Sequence, residues 1–147
     1  MRMKIRIIIV LIGLFVSLSA FAQQAKLIPI QETEDFEVLV ADQITKTDEG
    51  TFIAILKTYL YSDIAKGSFM ETFEVGEIPA YKMEFIEFSP DWSQFAIYAI
   101  EAVDDNGNKI FHYTNPSPRT YHPISSSQTV FNLVPMVKKF KIIDYPK

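Results

Sequence analysis

The sequence predicts an all-β fold, an antiparallel β-sandwich, and three observations carry that expectation. Segments 36–41, 51–61, 81–88 and 95–103 are rich in Val, Ile, Phe, Tyr and Thr, the residue types that suit a pleated surface. Turn-forming clusters separate most of them, at Thr47-Asp48-Glu49-Gly50, Pro90-Asp91 and Asp104-Asp105-Asn106-Gly107-Asn108. The segment 115–123 holds three prolines, which forbid a regular central strand and mark a loop.

Taken in order, residues 23–26 read as a flexible start. Glu32, Glu34, Asp35 and Glu37 read as a solvated entry segment. Phe36, Val38 and Val40 alternate with Glu37, Leu39 and Ala41, the period of a strand. Gly50 suits a positive φ in the turn that follows. Residues 51–61 also fit a helical stripe through Phe52, Ile55, Leu56, Tyr59 and Leu60. Their β-branched and aromatic content, after a Gly-bearing turn, favours the second strand of a hairpin. Residues 62–67 fit a single helical turn, and Phe69, Glu71, Phe73 and Val75 share one strand parity. Gly76 and Pro79 punctuate the chain before an alternating strand over 81–88.

Ser89-Pro90 admits two readings. As an N-cap followed by Pro at the first helical position, it would open a helix over 90–103 and make the fold α+β. As a turn, it leads into a strand apolar on both faces, suited to a sheet centre. The hairpin signal at Asn106-Gly107, the favoured pair of a type I′ turn, decides for the strand. The run from Ala102 to Ile110 resembles hairpins of extracellular bacterial Ig-like domains, and that resemblance implies an Ig-like sandwich. Strands are expected again over 109–114 and 128–134. Pro135 ends the latter, and 137–143 forms the last, where Lys138, Lys139 and Lys141 suit an edge.

The start of the chain supplies an address. Arg2, Lys4 and Arg6 precede an apolar run over 7–16, and Ala20-Phe21-Ala22 is a small-x-small cleavage pattern. This predicts a signal peptide over 1–22, cleaved after Ala22, and a single mature domain over 23–147. The apolar run is shorter than the roughly 20 residues a bilayer span needs, so no membrane span is expected after cleavage. The leader holds three of the 14 basic residues and none of the 18 acidic ones, leaving a mature net charge of −7. Nucleic acid and anionic membranes reward clustered Lys and Arg, so both are poor partners. The absence of cysteine removes disulfides, thiolate nucleophiles and thiolate metal sites.

Catalytic parts are sparse. His112 lies mid-strand and reads as a core or cross-strand residue, and His122 lies in the proline loop. No pair of histidines has helical metal spacing, so no metal or other cofactor is expected. Ser125, Ser126 and Ser127 follow His122 but form no nucleophile elbow. Glu84 and Glu87 fall on opposite faces of one strand and cannot share a cleft. Asp104, Asn106 and Asn108 match the opening of a calcium loop. Lys109 stands where such a loop needs Gly, and Asn115 where it needs Glu, so the turn explains them better. Aromatic and cationic side chains bordering turns remain as candidate binding residues: Trp92, Tyr113, Arg119, Tyr121 and His122.

These features predict an exported, non-enzymatic binding module of the bacterial periplasm or cell exterior, with a protein or glycan partner. An accessory subunit or inhibitor of an envelope complex is a second expectation, marked by an exposed apolar patch. A small hydrolase, with His122 or an acidic pair in a cleft, is a third.

Overall fold

A computed structural model describes residues 25–145. The expected leader over 1–22 lies outside these residues. Among those described, 45% are in strands and 20% in helices. The strands are β1 (Leu27–Glu32), β2 (Phe36–Ala41), β3 (Gln43–Lys46), β4 (Phe52–Leu60), β5 (Tyr81–Phe88), β6 (Gln94–Val103), β7 (Lys109–Thr114), β8 (His122–Pro123) and β9 (Lys141–Asp144). Helix α1 (Asp63–Phe73) lies between β4 and β5, and α2 (Gln128–Val137) between β8 and β9.

All nine strands belong to one sheet, in the order β1-β2-β4-β5-β6-β7. β2 and β3 both pair with β4 and are separated only by Asp42. The Asp42 amide donates to the Lys26 carbonyl (2.9 Å), and its carboxylate accepts from the Lys26 amide (3.0 Å). β9 adds to β3 in parallel, and β8 adds to β6. Every pairing except that of β3 with β9 is antiparallel.

This mostly β, antiparallel architecture is the part of the expected fold that the structure shows. Helices pack against one face of that sheet. On one face, Val38, Val40, Ala54, Leu56, Ile86 and Phe88 pack with Val130, Leu133, Val134 and Val137 of α2. Leu60, Ile100 and Ala102 continue that face under Phe69 of α1. The other face buries Ala41, Ile53, Ile55, Met83, Phe85 and Ala99 with Ala25, and Tyr98 and Tyr145 pack against them.

Residues 94–103 are strand, so the helix considered over 90–103 is absent. α1 carries the helical turn expected over 62–67 on through residues expected as a short strand, and α2 replaces the strand expected over 128–134. Ser62 caps α1 by accepting from the Ala65 amide, and the helix runs through the parity pattern of 69–73. Burial of Phe69, which meets Phe73 at 4.7 Å and Phe111 at 5.9 Å, outweighs the local strand preference. Ser127 caps α2, and Val130, Leu133, Val134 and Val137 form its buried stripe at helical spacing. Pro135 lies within the last turn of α2 instead of ending a strand. The final strand shrinks to Lys141–Asp144, and Lys138 and Lys139 leave it for the end of α2 and the turn beyond. β1 takes in Glu32 of the expected solvated entry, because its backbone pairs with β2.

Three hairpin turns share one construction. Gly50 donates to Thr47, Trp92 to Ser89 and Gly107 to Asp104, each amide reaching back three residues. The donating residue has positive φ in each case: 83° at Gly50, 63° at Trp92 and 82° at Gly107. Asn106 is not left-handed, so the expected type I′ turn does not form. The Asp104 carboxylate instead accepts from the amides of Asn106 and Asn108, both at 2.9 Å.

Candidate functional site

Strand alternation divides the charged residues of β5 between two environments. Lys82, Glu84, Ile86 and Phe88 face the helices, while Tyr81, Met83, Phe85 and Glu87 face away. Glu84 and Glu87 therefore lie on opposite sides of the sheet, as the alternation requires.

On the helix side, α1 and the start of α2 leave the sheet open between them. The gap is a cleft of about 730 Å³. Its floor is formed by Val38, Leu56, Thr58, Ile86 and Ile97. Ile64, Ser68, Phe69 and Thr72 of α1 form one wall, Thr129 and Val130 of α2 another, and Gln31 and Asp35 close an end. Ser68 and Thr72 are four residues apart, which places both on one side of α1. Ile64 stands at the margin, 79% exposed.

Lys82 and Glu84 also line this cleft, and Lys82 Nζ lies 3.0 Å from Glu84 Oε1. Their side chains are 27% and 24% exposed. The pair sits on a floor otherwise dominated by apolar side chains. Partial desolvation costs both ions, and an apolar pair of similar volume is often at least as stable. A mainly apolar concavity with a few convergent polar groups is the usual form of a small-molecule site, and this volume falls in the usual range.

The opposite side holds a different constellation. Glu87, 1% exposed, accepts from Arg119 Nε (3.1 Å) and Nη2 (3.4 Å), from Thr51 Oγ1 (3.1 Å) and from the Tyr121 hydroxyl. Arg119 also donates to the Asn115 carbonyl (3.2 Å) and stacks over Tyr98, 4.6 Å from its centroid. Asn115 in turn donates to the Ile97 carbonyl (2.9 Å). Burial opposes ionisation of Glu87, but the hydrogen bonds from Arg119, Tyr121 and Thr51 outweigh it and hold its carboxyl below the ordinary range. Burial, reinforced by the bond to Glu87, raises Tyr121 to about 12. With its oxygens already bonded, Glu87 acts as an anchor for the proline loop.

The five sequence-predicted residues do not gather in one place. Arg119 and Tyr121 meet at Glu87. Trp92 stacks on Phe52 (4.8 Å, 16°) and meets Phe88 at a tilt (5.0 Å, 32°), against the core beneath α2. His122 is exposed in β8, its ring 6.2 Å from Phe95. Tyr113 is 42% exposed on β7. His112 is exposed opposite Glu101, and its Nε2 lies 3.1 Å from Thr114 Oγ1. Ser126 donates to the Pro123 carbonyl and Ser127 caps α2, so both serines have structural partners. Among the described residues, no group of three or more His, Asp or Glu is placed to hold a metal.

None of the five residues expected to bind lines the cleft. The available signal was Lys82 and Glu84 on the same parity as core residues Ile86 and Phe88.

The described residues form one mostly antiparallel sheet with two helices on one face and an open cleft between them. No family model, curated protein or solved structure matches the chain. No described helix is long and apolar enough to cross a membrane.

Proposed function

We propose that the protein is an exported, non-enzymatic binding module of the bacterial periplasm or cell exterior, and that the cleft between α1 and α2 holds its ligand. The cleft with the Lys82–Glu84 pair on its apolar floor is the observation that supports this reading. The leader read from residues 1–22 supports the location. A ligand with an apolar body would cover Leu56, Ile86 and Ile97. One polar group, able both to accept from Lys82 and to donate to Glu84, would satisfy the pair. Because the pair is neutral overall, it favours uncharged ligands over ions of either sign.

N-phenylnaphthylamine, an uncharged apolar fluorophore with one N–H donor, tests this reading. Saturable fluorescence enhancement is expected with the wild type. Ser68→Trp, which fills the cleft from the α1 wall, is expected to abolish it. Equal enhancement in both proteins, or none in either, contradicts the proposal.

A further inference from the structure

We infer that the helix-free face of the sheet carries a second site, independent of the cleft: a tyrosine platform that binds a neutral sugar. Strand register builds it. Glu37 of β2, Tyr59 of β4 and Tyr81 of β5 stand in one cross-strand row. Lys57 and Tyr61 flank Tyr59 two residues away along the chain, on the same side. Both helices pack against the opposite face, leaving this end of the sheet accessible. Tyr61 is 50% exposed, and Lys57, Tyr59 and Tyr81 are half-buried.

The side chains are held in place. The rings of Tyr59 and Tyr61 are parallel within 2°, with centroids 6.4 Å apart. Tyr81 meets Tyr59 edge-on at 5.8 Å. Lys57 Nζ lies 4.7 Å from the Tyr59 centroid and 4.1 Å from that of Tyr81, within cation–π range. The Tyr61 hydroxyl donates to Glu37 Oε2 at 2.6 Å, which fixes the exposed ring beside a carboxylate.

A pyranose presents an apolar face of C–H bonds and a rim of hydroxyls. Tyr61 offers a ring for that face, while Glu37 offers an acceptor and Lys57 a donor for the rim. A protein partner fits less well, because interface cores are depleted of charged residues and this patch interleaves two with its rings. The acidic balance of the chain, with 18 acidic against 14 basic residues, disfavours an anionic sugar.

Amide chemical-shift titrations with cellohexaose, maltohexaose and the N-acetylglucosamine hexaose test the platform. At least one sugar is expected to shift Glu37, Lys57, Tyr59, Tyr61 and Tyr81 saturably while leaving Ser68 and Glu84 of the cleft unmoved. Tyr61→Ala is expected to weaken that binding by about tenfold or more. Tyr61→Phe keeps the ring and should stay within about threefold of wild type. The platform is overturned if none of the three sugars shifts these amides, if the shifts map to the cleft, or if binding survives Tyr61→Ala undiminished.

Discussion

The guanidinium of Arg119 grips the carboxylate of Glu87 through two nitrogens and ties the proline loop to β5 across 32 residues of sequence. Glu87 is 1% exposed, so its charge depends on that loop for compensation. Arg119→Ala strands a buried carboxylate with only Thr51 and Tyr121 as partners. The expected loss is about 3 kcal/mol, read from urea denaturation. The double variant Arg119→Met/Glu87→Leu should recover most of it, since an apolar pair leaves no charge behind. A loss below about 1 kcal/mol for Arg119→Ala would contradict the anchoring role.

The same carboxylate sets an acid limit. Its folded pKa lies below its ordinary value of 4.5, so the unfolded chain binds the proton first as pH falls. The stability it contributes is complete well above 4.5 and declines as pH drops through 4.5 toward the folded value. Urea midpoints measured from neutral pH downward should fall more steeply in the wild type than in Glu87→Gln. Parallel profiles would show that Glu87 is not the group responsible.

Trp92 holds a left-handed backbone, φ 63°, at the turn position filled by glycine in the two sister hairpins. That conformation costs an ordinary residue roughly 1–2 kcal/mol, and ring contacts with Phe52 and Phe88 offset it. Trp92→Ala removes the rings and keeps the strain, whereas Trp92→Gly removes both. Both variants should be less stable than wild type, with Gly the more stable of the two by about 1 kcal/mol. Thermal or urea unfolding of the pair checks this, and an Ala variant at least as stable as Gly refutes it.

Lys82 and Glu84 are expected to serve binding at no gain in stability. The double variant Lys82→Met/Glu84→Leu should unfold within about 1 kcal/mol of wild type, or later. Its affinity for ligands carrying a hydrogen-bonding group should fall, while purely apolar ligands should bind at least as well. A large loss of stability would make the pair structural.

Part of this architecture was readable residue by residue. Thr47–Gly50 and Asp104–Asn108 announced their turns because side-chain capping and left-handed glycine are local effects. The strands over 52–60, 81–88 and 94–103 followed from composition, and alternation separated Glu84 from Glu87. The helices were hidden for different reasons. In α1, Phe69 and Phe73 fit a strand parity locally and become helical by packing with Phe111. In α2, Ser127 and the spacing of Val130, Leu133, Val134 and Val137 were a helix signature, obscured by Pro135. Arg119 and Tyr121 stood out as side chains, but nothing local tied them to Glu87, more than 30 residues away. The cleft draws on residues from Gln31 to Val130, so no single segment could announce it.

The most direct measurement is an amide chemical-shift map of the protein saturated with N-phenylnaphthylamine. Perturbations are expected to concentrate at Ser68, Thr72, Glu84, Ile97 and Val130, which border the cleft from both helices and two strands. Perturbations elsewhere with these five unmoved would contradict the cleft as the ligand site.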